Sequence, residues 1–298
     1  TVRFCEGAVH IVALTTIMAL ACDWAPPAKR GRMMGWIGTS LMFGTGFGSM
    51  LGGRLGNVST ALVFYVGAGV AMTAVFVAAV GLRDAPIQER ARRFGDTFRV
   101  LATRPQLWVP YAYAFIDRFC VGVIVSTLML YLGVVLEMTP AKIGGLLALF
   151  LFPFALLCYP AGRLADRIGR AIPMCAGSIG FGIVYTLYGV LPLAWLYPAM
   201  LLSGILSAIM FAPNLAMCSD LAPAEHRAAA FAGFNVAGSL GFMAGPLIGA
   251  VCCALLESSY GSAFAYRTTF VIAGLTEVLC ALVSLPWLLS LRRPATAS

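Results

Sequence analysis

Charge is what this 298-residue sequence has least of. Asp, Glu, Lys and Arg make up 11% of it, where soluble domains carry about a quarter. Hydrophobic residues account for 60% and the mean hydropathy is +0.90, which excludes an ordinary soluble domain. Acidic residues number 12 against 20 basic ones, a formal net charge of +8. The basic residues sit in short segments between apolar runs, so membrane topology explains them better than nucleic acid does. The nine cysteines form no C-x-x-C pair, and Cys252 and Cys253 alone are adjacent. Neither a disulfide framework nor a zinc site is indicated, and the cysteines read as small hydrophobes. A Walker loop, a metal-ligand cluster, a Ser/His/Asp spacing and a Rossmann glycine pattern are all missing. Energy from ATP, enzyme chemistry, a cofactor and a metal are therefore not expected. The chain opens on Thr1 and runs straight into apolar sequence without the basic start of a signal peptide, so it is expected to be cut rather than processed.

What is abundant is long apolar sequence. Runs of about 20 residues, enough to span a bilayer, fall at 4–22, 33–55, 60–82, 109–136, 142–161, 171–190, 194–217, 228–254 and 268–290. Glycine and small residues are dense in them, as close helix packing in lipid requires. Alternating sides then receive very different shares of Lys and Arg. One side takes Lys29, Arg30, Arg32, Arg83, Arg90, Arg92, Arg93, Arg99, Arg104, Arg163, Arg167, Arg170, Arg227, Arg292 and Arg293; the other takes Arg54, Lys142 and Arg267. The positive-inside rule makes the rich side cytoplasmic, with the C-terminus on it.

The segment from Asp23 to Gly53 recurs from Asp220 to Ala250. Asp23, Pro26, Arg30, Gly44, Gly48 and Gly52 answer to Asp220, Pro223, Arg227, Gly241, Gly245 and Gly249 without a gap. Internal repeats of this kind build transporters from two similar bundles. Residues 83–108, the longest non-apolar stretch, divide three spans from six and read as a cytoplasmic linker, with a basic amphipathic surface helix at 88–98 one possibility. Residues 1–82 are then the remnant of a first bundle and 109–298 a complete second one. Since the fourth and fifth spans of the second bundle match the first two of the chain, the spans correspond to helices 4 to 12 of twelve. A natural nine-helix protein is the alternative.

The loop between the fifth and sixth spans reads GRLADRIGR, and Gly162, Leu164, Asp166, Gly169 and Arg170 fit G-x-L-x-D-x-x-G-R. Here the chain resembles the major facilitator superfamily, whose signature this is between helices 2 and 3 and, more weakly, between 8 and 9. The resemblance implies an all-α, polytopic two-bundle fold with about nine of twelve helices present. It also implies that Asp166, with Arg167 and Arg170 beside it, secures the cytoplasmic side against the start of the 33–55 helix. Gly35, Gly44, Gly48, Gly52 and Gly53 resemble the helix-5 antiporter motif of the superfamily, with Ser49 where that motif has proline. As a physical feature the ladder offers a smooth face for contact between the bundles.

Polar residues inside the spans are the candidate pathway. Arg3, Glu6 and His10 are spaced three and four apart and share one helix face. Arg3 and Gly7 resemble the superfamily's helix-4 pattern, which implies a proton-coupling role for Arg3; an Arg3–Glu6 pair that only shapes the helix end is the alternative. Asp117 and Arg118 lie within the 109–136 span, where charge is costly and tends to face water or a partner. Adjacent residues diverge by about 100° on a helix, so one of them is expected to face the cavity and the other a neighbouring helix. Asp117 is a candidate proton carrier or a member of a structural ion pair. Glu277, in the last helix, reads as structural. Asn214 and Asn235 either bond substrate or tie helices together. The expected function is proton-coupled efflux of a small organic compound, a drug or sugar, by a monomeric multi-pass protein of the cell (inner) membrane. Import of an organic anion or sugar, and a non-transporting membrane fragment, are the alternatives.

Overall fold

A computed structural model describes residues 2–26, 29–56, 59–81 and 104–290. Helices form nearly all of it, and there is no strand among the described residues. In order they are α1 (Val2–Trp24), α2 (Arg30–Gly56), α3 (Thr60–Gly81), α4 (Trp108–Val123), α5 (Pro140–Ile168), α6 (Ala171–Leu187), α7 (Leu193–Leu221), α8 (Arg227–Tyr260) and α9 (Ser262–Ser290). Each apolar run of the sequence contains or overlaps one of them. By length and composition, six described helical stretches suffice to cross a membrane, in α3, α4, α5, α7, α8 and α9. The expectation of nine thus meets a stricter limit. The apolar parts of α1 and α6 are shorter, and α2 spends much of its length on glycine, Ser, Thr and the arginines Arg30, Arg32 and Arg54. The expected linker lies outside the described residues up to position 103.

Beyond Val123 the fourth helix widens into two π turns, Ile124–Leu128 and Tyr131–Val135. Such turns displace the i→i−4 ladder and recur at functional sites. Nothing in the apolar run marked this change of pitch.

Helices α4 to α9 pack on one another around an aromatic core. Phe181, Tyr185, Tyr188 and Phe270 are completely buried in it. Their hydroxyls are satisfied, Tyr185 donating to the Cys120 carbonyl at 3.0 Å and Tyr188 to Ser203 Oγ at 2.6 Å, because an unpaired hydroxyl in this setting is costly. Against this group α2 lies along α5 and α7, and α1 along α8. Helix α3 packs on α2 and is exposed along nearly its whole length.

The α2–α5 contact explains part of the glycine ladder. A Cβ on Gly162 would lie 2.0 Å from the Gly31 carbonyl, and one on Gly35 2.5 Å from that of Cys158, so the two backbones touch there. Thr39 Oγ1 reinforces the crossing by donating to the Ala155 carbonyl at 2.7 Å. Further along α2 the ladder has a different setting. Gly44 and Gly48 meet nothing within 4 Å and Gly52 meets Val63 alone, at 3.9 Å. The expectation of a continuous contact face therefore holds only for the first third of α2. In α8, by contrast, the repeat-related Gly241, Gly245 and Gly249 lie against Phe115, Phe119 and Thr127 of the fourth helix and its first π turn.

Candidate functional site

Two features are candidates for function, an ionic cluster at the end of the molecule that carries the loop signature and a cavity deeper among the helices.

The cluster is built on the signature loop. Gly169 ends α5 at φ +89°, a backbone conformation that excludes side chains in practice. That turn brings Arg170 back, and its Nη1 meets Asp166 Oδ1 at 2.6 Å. Asp166 in turn caps a different helix. Its Oδ1 accepts the Gly31 N–H at 2.9 Å and its Oδ2 the Arg32 N–H at 2.8 Å. These are first-turn amides of α2 that have no partner within their own helix. A carboxylate there also meets the positive end of the helix dipole. Arg167 points outward and is exposed.

Further ion pairs lie across the same end. Arg30 Nη1 reaches Asp220 Oδ1 at 3.1 Å, and Arg227 Nη1 reaches Asp23 Oδ1 at 2.6 Å. Arg170 Nε holds the other oxygen of Asp220 at 3.2 Å. Under the internal repeat Asp23 answers to Asp220 and Arg30 to Arg227, so the two pairs are images of one another. Each joins an acid of one repeat to an arginine of the other. The sequence reading used these four residues to find the repeat and missed that they pair. An aspartate followed by an arginine at the same spacing in both repeats was the available signal.

The cavity, of about 330 Å³, is lined by Met42 and Thr45 of α2, Asp117, Arg118 and Val121 of α4, Ile124 and Val125 of its first π turn, and aromatic and aliphatic residues of α5, α7 and α8. Asp117 and Arg118 both line it, contrary to the expectation that adjacent residues would face apart. The cause is reach: the Arg118 guanidinium extends across to lie 5.6 Å from the centre of the Phe211 ring, an attractive cation–π arrangement. Asp117 Oδ1 is buried without a hydrogen-bond partner, and no ion pair among the described residues engages this carboxylate.

Asn214, Asn235 and His10 do not line this cavity. Asn214 is buried and its Nδ2 donates to the Pro110 carbonyl at 3.4 Å, tying α7 to α4. Asn235 donates to the Phe231 carbonyl of its own helix at 3.0 Å. His10 is exposed on α1. The side chains of Arg3 and Glu6, and the surroundings of Gly53, lie outside what the structure describes.

Comparison with known proteins places this helical architecture in a family. The model of the Major Facilitator Superfamily matches residues 1–139 and 111–298. The chain belongs to this superfamily. Within it, the Quinolone resistance protein NorA of Staphylococcus aureus (strain Mu50 / ATCC 700699) is 26% identical over 184 residues, covering 60% of this chain and 44% of that protein. The Multidrug resistance protein MdtG of Yersinia enterocolitica is 31% identical over 180 residues, covering 58% of this chain and 41% of that one. The chain thus spans less than half of the length of these curated relatives. The crystal structure of the human organic anion transporter MFSD10 (TETRAN) superposes with a TM-score of 0.69 at 18% identity, covering 89% of this chain and 67% of that one. That likeness is one of fold. As a superfamily member with apolar helices of spanning length, the protein is an integral multi-pass membrane protein.

Proposed function

We propose that the protein is a proton-coupled exporter of a small organic compound, working by alternating access, with its signature-loop end cytoplasmic and closed in this conformer. The observation that carries this is Asp117, a carboxylate with one oxygen unpartnered in a cavity otherwise lined mostly by aromatic and aliphatic side chains. Such a group tends to mark an ion or proton pathway in a membrane protein. The lining suits a drug-sized apolar compound, and two relatives carry drug-resistance names. Asp166, Asp220 and Asp23 with their arginines form the gate. Opening that end requires these contacts to separate, while the interior is reached by rocking of the two repeats. The proposed setting is the cell (inner) membrane, the proposed form a monomer, and the proposed units residues 1–82, 83–108 and 109–298.

Everted membrane vesicles containing the protein expressed from its complete coding sequence test this. A fluoroquinolone added to energised vesicles is expected to collapse part of the pH gradient, read with a pH-sensitive dye. Asp117→Asn should reduce that flux by about 100-fold, the scale of a lost proton-transfer group, and Arg3→Ala should also weaken it. Coupling that survives in both variants overturns the assignment. A second reading, import of an organic anion, is favoured by Arg118, whose guanidinium lies on the same cavity. Uptake of an anionic probe that is lost in Arg118→Gln, with no quinolone efflux, would select it.

A further inference from the structure

The two charges on the cavity wall do not satisfy each other. Asp117 and Arg118 are neighbours in α4 and both line the cavity, yet no ion pair or hydrogen bond among the described residues joins them. Side-chain length keeps them apart. The short Asp117 side chain leaves its carboxylate beside α4, whereas the longer Arg118 stem carries its guanidinium across to Phe211 of α7, 5.6 Å from the ring centre. Stacking of this kind uses the flat face of the guanidinium and leaves its in-plane N–H donors for other partners. Asp117 Oδ1 is buried with no donor. The cavity thus offers an anionic acceptor on one wall and a cationic donor on another.

Each class of guest leaves a different remainder there. A cation neutralises Asp117 but meets Arg118 with like charge, and an anion does the reverse. A neutral guest strips water from both charges and pairs with neither, which is costly in an interior. Only a guest with an ammonium at one end and a carboxylate at the other satisfies both. The rest of the wall describes its body. Phe154 stands edge-to-face with Phe150 and with Phe211, at centroid separations of 5.8 and 5.5 Å, and Phe242 also lines the space, so the middle of the guest meets ring faces and edges. A volume of about 330 Å³ lies at the small end of ligand sites and suits one fused ring system.

We propose that the guest of this cavity is a small aromatic zwitterion, its ammonium held by Asp117 and its carboxylate by Arg118. The inference rests on the reading of this cavity as the transport site. It makes the acid and the arginine a pair of specificity determinants acting on one molecule, with proton and ammonium occupying Asp117 in turn. Equilibrium binding tests it independently of transport.

Four compounds on one indole scaffold separate the charges: tryptophan carries both, tryptamine the cation alone, indole-3-propionate the anion alone and indole-3-propionamide neither. Titrated calorimetrically into the protein expressed from its complete coding sequence and held in nanodiscs, tryptophan should bind at least about 10-fold more tightly than any of the other three, the scale of one charge-assisted hydrogen bond. Asp117→Asn should erase its advantage over indole-3-propionate, and Arg118→Gln its advantage over tryptamine. Arg118→Lys, which keeps the charge, should retain part of it. Equal or tighter binding of a singly charged or neutral analogue to the wild type overturns the proposal even where no variant folds, as does an absence of saturable binding by all four. Variants that weaken all four compounds alike overturn it too. If the wild type shows the expected ranking while its vesicles show no quinolone-driven proton flux, the efflux reading falls and the zwitterion site stands; intact flux with four equal affinities sinks the site alone.

Discussion

Asp166 carries several duties at once. One carboxylate accepts two backbone N–H groups of α2 and an ion pair from Arg170, and it is 9% exposed, so water competes poorly for it. Hydrogen bonds to a charged group contribute about 1.5–3 kcal/mol. Asparagine at this position keeps one acceptor oxygen but turns an NH₂ toward a backbone donor, and it drops the charge. Asp166→Asn should therefore cost the closed conformer about 2 kcal/mol, roughly a 30-fold shift in its population. Spin labels at the exposed positions Lys29 and Arg167 would report this as a second, longer distance in pulsed dipolar spectra. A distribution identical to the wild type would mean that Asp166 does not hold the two helices together. The contrast with Asp117 is one of partners. Both are acids on helices, Asp117 buried and Asp166 half-buried, but Asp166 is saturated with donors and fixes structure, while Asp117 has an unpartnered oxygen and is available to a proton.

At the scale of elements, the α2–α5 crossing separates two kinds of glycine that look alike in sequence. A methyl group on Gly162 would collide with backbone, which cannot move aside as a side chain can. Gly162→Ala should force the helices apart and cost about 1–3 kcal/mol, the usual range for overpacking, seen as lost thermal stability in detergent and a more open signature-loop end. Gly44 meets nothing within 4 Å, and Gly44→Ala should be neutral or stabilising by about 1 kcal/mol through helix propensity. Equal effects at the two positions would show that the crossing is not where closure is determined. This difference was illegible in the sequence, because spacing identifies a small-residue face without saying what lies against it. The helices themselves were legible from apolar run length, and the role of the G-x-L-x-D loop as a cap for α2 was legible from motif resemblance. The π turns after Val123 and the shared cavity position of Asp117 and Arg118 were not. Both depend on how a helix end or a long side chain adapts to its neighbours, which periodicity does not encode.

For the whole molecule, the reciprocal pairs Asp23–Arg227 and Arg30–Asp220 make closure a property of the repeat. Each bond needs both repeats at once, so neither can persist if the repeats rock apart at this end. The acids are partly exposed, 38% for Asp23 and 34% for Asp220, and each pair is worth roughly 0.2–1 kcal/mol after solvent screening. Neutralising one partner should change transport only a few-fold. Reversing one charge is more severe, because Asp23→Arg sets two guanidinium groups against each other. Restoring opposite signs with Asp23→Arg/Arg227→Asp should then recover the closed population and transport to near wild-type values. The other swap should not recover as well. Asp220 also holds Arg170 at 3.2 Å, so Arg30→Asp/Asp220→Arg repairs one contact and places an arginine against Arg170. Transport rates of the four single reversals and the two double reversals, measured in the same vesicles, decide the matter. Rescue by the first double variant and partial rescue by the second is the pattern expected of a symmetric lock with one asymmetric member. No rescue by either would show that closure at this end does not depend on these charges.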